Sequence, residues 1–154
     1  MNVLNEFDLD STVKKYKSEN KKIVFTNGCF DLLHVGHVRY LQAAAKLGDI
    51  LIVGINTDAS VKTLKGPLRP IQNENDRAEI LAALKCVTHT ILFGEETPLN
   101  LIKKILPDVL VKGGDWKPEQ IVGSDVVLAN GGSVQSLIFI DGKSTTALIE
   151  KSQG

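Results

Sequence analysis

The chain has three histidines. Two of them stand together in Thr26-Asn27-Gly28-Cys29-Phe30-Asp31-Leu32-Leu33-His34-Val35-Gly36-His37. The branched apolar run before this string, Lys22–Thr26, reads as a strand and the segment after it as a helix, so the string is a strand-to-helix turn. His34 and His37 are three apart, which sets both imidazoles on one face at a helix start. The unpaired N–H groups and the positive end of the helix dipole point the same way. Gly28 and Gly36 remove side chains where main chain must approach a bulky anion. That is a phosphate site, in which two imidazoles donate to a phosphorus centre as it gathers charge in a displacement, with no covalent step. The pattern is neither G-x-G-x-x-G nor the P-loop, so a different phosphate chemistry is implied. A zinc pair with Asp31 or Cys29 nearby, or two capping histidines, are the other readings of this spacing.

The elements that must position these residues follow from periodicity. Strand-length apolar runs recur at Lys22–Thr26, Ile50–Asn56, Thr88–Phe93, Asp108–Lys112 and Val134–Ile140, which predicts five buried strands. Helical spacing is found at Asp10–Asn20, Val38–Leu47, Glu74–Leu84, Pro98–Leu106, Ser124–Ala129 and Ser144–Lys151. Strands and helices alternate, the signature of a parallel α/β sheet with helices on both faces. Gly48-Asp49, Thr97-Pro98 and Pro107 punctuate the boundaries. The longest irregular connection, Lys62–Asn73, carries the cations Lys62, Lys65 and Arg69. Residues 1–20 are expected as an N-terminal helix of the same domain, and residues 21–154 as the domain proper.

Composition narrows the classes. With 154 residues, 43% apolar and 23% charged, one globular domain with a sizeable core is expected. The 18 basic and 18 acidic side chains balance, and no run of five like charges occurs. No nucleic-acid or membrane partner is therefore expected, and any phosphate must be bound locally. Cys29 and Cys86 are too few for a disulfide framework. Met1–Asp10 is mixed polar and acidic, and no apolar run approaches a bilayer span, so a cytoplasmic protein is expected.

The string ending in His34-Val-Gly-His37 resembles the H-x-G-H signature of the cytidylyltransferase-like nucleotidyltransferases, which move a nucleoside monophosphate from a triphosphate onto a phosphate acceptor. Val53-Gly-Ile-Asn-Thr-Asp58, Lys62 to Arg69, Asn75-Asp-Arg77, Pro107 to Trp116 and Gly142-Lys-Ser-Thr-Thr146 fall in the family's order, so the similarity covers residues 21–151. The resemblance implies a Rossmann-like, doubly wound five-stranded parallel sheet. It implies His34, His37 and Lys65 as catalytic. Gly28, Cys29, Phe30, Lys62, Arg69, Asp115, Ser144, Thr145 and Thr146 become nucleotide- and phosphate-binding, and Asp31, Asn56 and Asp58 face the acceptor. No protein-held metal is implied. Ser144 and its neighbours read equally as a plain helix cap, Arg77 as a surface or salt-bridging residue, and Trp116 as packing or as a cover for the nucleotide. Cys29 reads as a space-filler and His89 as structural.

Glycerol-phosphate cytidylyltransferases also look like this chain, but Phe139 stands where they typically carry an arginine. Leu64 to Pro70, Leu106 to Asp115, Ala129-Asn-Gly-Gly132 and Asp141 to Thr146 look closely like the adenylyltransferase half of bacterial bifunctional heptose kinase/adenylyltransferases and their free-standing counterparts. That resemblance implies transfer of AMP from ATP, with Mg2+, to D-glycero-β-D-manno-heptose 1-phosphate, giving ADP-heptose and pyrophosphate on the way to lipopolysaccharide core or other surface glycans. A cytidylyltransferase acting on glycerol 3-phosphate or a related polyol phosphate is the alternative. No sugar-kinase domain fits in 154 residues, so a separate heptose kinase is expected, and a homodimer is expected because related transferases often pair.

Overall fold

The computed structural model describes residues 2–138 and 144–154. Expectations resting on Phe139 and on Asp141 to Lys143 lie outside the described residues. In chain order the elements are β1 (Val3–Leu4), α1 (Glu6–Ser18), β2 (Ile23–Gly28), α2 (Val35–Ala45), β3 (Ile50–Asn56), α3 (Asp58–Lys65) and α4 (Glu74–Ala82). They continue with β4 (His89–Phe93), α5 (Leu99–Ile105), β5 (Val109–Gly113), a 3-10 turn (Pro118–Gln120), α6 (Ser124–Ala129), β6 (Ser133–Leu137) and α7 (Thr145–Gln153). The sheet order is β1-β4-β3-β2-β5-β6, with every neighbouring pair parallel.

The sheet has six strands where five were expected. The extra one, β1, is two residues long and exists only by pairing Val3 and Leu4 with Thr90 and Ile91 of β4, so no periodicity announces it. The N-terminal helix likewise starts at Glu6 rather than Asp10, because Asn5 caps it by accepting from Asp8 N at 2.9 Å. The connection after β3 is half helix: Thr57 caps α3, which runs through Lys62 and Lys65 before Gly66 ends it at φ 103°. A left-handed turn there suits glycine.

The strands alternate between two cores, as the period of two demands. Ile23, Phe25, Ile52 and Leu110 pack with Leu9, Val13, Ile102 and Val127 on one face. Val24, Leu51, Val53, Ile55 and Val109 pack with Tyr40, Leu41, Ala78 and Leu81 on the other. This is a doubly wound α/β domain. Among the described residues no helix is long and apolar enough to cross a membrane.

Candidate active site

In an open parallel sheet a ligand crevice forms at the carboxyl ends of the strands, where the winding direction reverses. Here the chain winds outward from β2 through β3 to β4 and then returns to β5 on the other side of β2. The pairing itself opens the crevice. β2 stays in register with β3 from Ile23↔Ile50 to Gly28↔Ile55, but pairs with β5 only at Val24↔Val109 and Phe25↔Leu110. Beyond Phe25 the strands diverge, leaving a cleft of about 510 Å3 between Asn27–Asp31 on one side and Lys112–Gly113 on the other.

The turn after β2 is shaped by Phe30, held at φ 47°. Its ring meets His37 edge-on, with centroids 5.2 Å apart. A Cβ on Gly28 would sit 2.9 Å from that ring, so glycine is what lets the phenyl close over the turn. His37 lines the cleft. Its Nδ1 accepts from the His34 N–H at 3.4 Å, which assigns the proton of the neutral ring to Nε2. Burial, and then the neighbouring His34, lower its pKa from 6.5 to about 4, so at neutral pH it is an uncharged donor.

His34 was expected beside His37 on one helical face. Instead it is the residue before α2, in extended conformation (φ −127°, ψ 170°), with its ring stacked on His37 at 3.8 Å. It does not line the cleft. The helix begins at Val35, one residue too late to carry His34 on a helical face with His37.

Three cations, Lys65, Arg69 and Lys112, line the cleft. Among the described lining residues Asp31 is the one carboxylate, and it is already engaged. It accepts from Arg69 Nε at 2.8 Å, Ile71 N at 2.8 Å and Gln72 N at 3.0 Å. Burial pushes its pKa up, but the N–H groups of Gln72 and Ile71 and the Arg69 guanidinium outweigh that and hold it below the ordinary carboxylate value. Asp31, expected to face the acceptor, is thus the anchor that ties segment 69–72 to the turn. One guanidinium N–H of Arg69 is used in doing so, leaving its terminal nitrogens for other acceptors.

Asp58, also expected at the acceptor, is outside the cleft wall and is paired with Arg77 at 2.8 Å. Arg77 is only 1% exposed. It also donates to the main-chain carbonyls of Cys29 at 2.6 Å and Gln72 at 3.0 Å. Of its expected readings, salt-bridging holds and surface does not: one buried guanidinium joins the turn, the 69–72 segment and α3. Asn56 does line the cleft. Its amide donates to Ser60 Oγ at 2.9 Å, and its Oδ1 lies 3.8 Å from the Cys29 thiol. Burial raises the Cys29 pKa, which keeps the sulfur protonated and a poor nucleophile.

The start of α7 closes one end of the cleft, with Ser144, Thr145 and Thr146 all in its wall. Ser144 Oγ caps the helix by accepting from Ala147 N at 3.0 Å, and Thr145 Oγ1 donates to Leu32 O at 2.8 Å. The cap and the cleft wall are therefore the same residues. Lys62 and Asp115 are exposed and outside the wall. Trp116 folds back instead of covering the cleft: its Nε1 donates to Gly113 O at 3.1 Å, and Lys112 Nζ lies 5.0 Å from its ring. Gly114, at φ 115°, permits that return, since a Cβ there would meet the indole at 2.7 Å. His89 is at the opposite end of the sheet, 2.8 Å from Tyr16 Oη.

Asn27, Tyr40, Leu64, Lys112 and Gly113 also line the wall, beyond the residues expected there. Tyr40 was findable, one turn beyond His37 on α2. Its hydroxyl meets Thr26 Oγ1 at 2.6 Å, and burial raises its pKa to about 12. Lys112 needed the sheet order, because only the β2–β5 split brings it opposite the turn.

Residues 25–140, which span this cleft from β2 onward, match the family described as cytidylyltransferase-like. The chain belongs to that family. Membership makes it a nucleotidyltransferase. Among curated relatives, the bifunctional protein HldE of Geotalea uraniireducens is 58% identical over 143 residues, 93% of this chain and 29% of that protein. HldE of Wolinella succinogenes is 51% identical over 152 residues, 99% of this chain and 31% of that protein. The chain therefore spans under a third of the length of these relatives. A solved structure, described as the lipopolysaccharide core biosynthesis protein from Thermoplasma volcanium, superposes with a TM-score of 0.64 at 28% identity, covering 80% of this chain and 99% of that one.

Proposed function

We propose that this cytidylyltransferase-like domain transfers AMP from ATP to D-glycero-β-D-manno-heptose 1-phosphate, giving ADP-heptose and pyrophosphate for surface-glycan assembly. The observation that carries this is the convergence of His37, Lys65, Arg69, Lys112 and the start of α7 on one cleft whose lining carboxylate, Asp31, is already paired. Such a surface takes a polyanion. The similarity of the Leu64–Pro70, Leu106–Asp115, Ala129–Gly132 and Asp141–Thr146 strings to heptose-phosphate adenylyltransferases supports the choice of nucleotide and acceptor. The neighbour's description as a lipopolysaccharide core protein agrees with it.

In this reaction an acceptor phosphate oxygen attacks the α-phosphorus in line and the bond to the β-phosphate oxygen breaks, so both electrons of that bond leave with pyrophosphate. The Nε2–H of His37 donates to the α-phosphoryl oxygens as they gain charge, a contribution that needs no change in its protonation. Lys65 and the terminal nitrogens of Arg69 neutralise the leaving pyrophosphate, with the Thr146 hydroxyl and the first N–H groups of α7 beyond them. Lys62, Asp115 and His34 stand outside the wall. Mg2+ is read as part of the substrate. When bound with ATP, Mg2+ supplies further neutralisation of the phosphates. A kinase acting on the heptose must supply the acceptor, and ATP as donor fits a cytoplasmic setting.

The test is pyrophosphate release with MgATP or MgCTP against heptose 1-phosphate or glycerol 3-phosphate. Turnover confined to ATP with the sugar phosphate is the expected result. Turnover with CTP and glycerol 3-phosphate would replace this assignment by a polyol-phosphate cytidylyltransferase.

A further inference from the structure

Beside the phosphate cleft is a second cavity, of about 260 Å3, between the loop after β4 and the end of β5. The two cavities share Asn27, Asn56, Leu64 and Lys112 as a common wall. We infer that this second cavity is the subsite for the sugar ring of a phosphosugar acceptor, with Lys112 at the junction on its phosphate and Glu96 reading its hydroxyls. The inference rests on the sugar-phosphate transfer proposed above.

The cavity is just below the range of about 300–1,000 Å3 that encloses drug-sized ligands, a size suited to one monosaccharide ring. Phe93, Pro98, Ile121 and Val122 give an apolar floor for the C–H face of a ring, while Glu96 and Thr97 form a polar edge. Among the described residues Glu96 has no hydrogen-bond or ion-pair partner, so both carboxylate oxygens remain to accept from neighbouring hydroxyls. Thr97 Oγ1 accepts from Leu99 N at 3.4 Å, which leaves its O–H to donate. An unpaired carboxylate also repels phosphate, so the triphosphate is kept to the cationic cleft and a neutral, hydroxyl-rich group is what this cavity accepts.

In-line displacement puts the acceptor opposite the leaving group. Ser144–Thr146 and Arg69, on the pyrophosphate side, line the first cavity only, and Glu96 and Thr97 line the second only. Lys112 is common to both and is bound to no carboxylate; it rests against the Trp116 ring. An acceptor with its ring in the second cavity thus presents its phosphate at Lys112, across the wall from His37.

The experiment is steady-state pyrophosphate release by the wild type, Glu96→Ala and Val122→Trp, with KM measured separately for MgATP and for heptose 1-phosphate. Glu96→Ala, an exposed change, is expected to raise the acceptor KM about tenfold, and Val122→Trp, which fills the cavity, by at least as much. The ATP KM should stay within about twofold, and thermal melting checks that each variant is folded. If the wild type turns over heptose 1-phosphate while Glu96→Ala keeps its acceptor KM, or raises both KM values alike, the subsite is overturned and the reaction stands. A wild type that turns over no sugar 1-phosphate overturns both.

Discussion

Arg69 and Asp31 are 38 residues apart in the chain and 2.8 Å apart in the fold. That contact decides what each can do. Asp31 spends its oxygens on Arg69 and on the N–H groups of Ile71 and Gln72, and Arg69 is thereby aimed at the cleft rather than at solvent. Replacing Asp31 by Asn removes the charge that holds the segment. The expected result is a stability loss of about 2 kcal/mol, the scale of a hydrogen bond to a charged group, together with a rise of about tenfold in the ATP KM. Denaturant unfolding and pyrophosphate kinetics read the two effects. An unchanged ATP KM would mean that Arg69 does not depend on Asp31 for its position.

Arg77 serves the scaffold. Its guanidinium reaches the carbonyls of Cys29 and Gln72 and the carboxylate of Asp58 from a fully buried position. Arg77→Met keeps the bulk but leaves two carbonyls unsatisfied and Asp58 unpaired, at an expected cost of about 3 kcal/mol in urea unfolding. A loss under about 1 kcal/mol would show that the three segments hold together without it.

Acid should loosen the domain in a defined window. The folded chain keeps His37 neutral down to about pH 4, whereas an ordinary histidine titrates at 6.5. Burial also lowers the pKa of His89. Between those values the unfolded chain binds protons that the folded chain does not, so stability rises with pH there and falls as pH drops from about 6.5 towards 4. Asp31 adds a further loss only lower still, through its depressed folded pKa. The urea midpoint measured across pH 4 to 7 should fall on acidification, and less steeply in His37→Gln. Equal slopes in wild type and variant would contradict the buried, neutral state of His37.

What the sequence made legible was local. Apolar runs of period two and helical runs of period 3.6 marked the five longer strands and most helices, and the turn expected to bind phosphate places Gly28–Asp31 and His37 in the wall of the cleft. What it concealed depended on partners distant in the chain. The strand Val3–Leu4 exists only against β4. Asp31 and Asp58 carry no sign in the sequence that Arg69 and Arg77 pair with them. Lys112 joins the site because β2 and β5 stop pairing after Phe25 and Leu110. His34 and His37 were expected on one helical face; with the helix starting at Val35 their rings stack instead, and of the two His37 lines the cleft.

His37→Ala tests most directly whether His37 stabilises transfer of AMP in this cleft. Pyrophosphate release from MgATP and heptose 1-phosphate should proceed in the wild type and fall by about 10²–10³ in kcat in the variant, the usual effect of losing one transition-state donor, with thermal melting confirming that the variant is folded. A folded His37→Ala variant that turns over at nearly the wild-type rate would contradict the account.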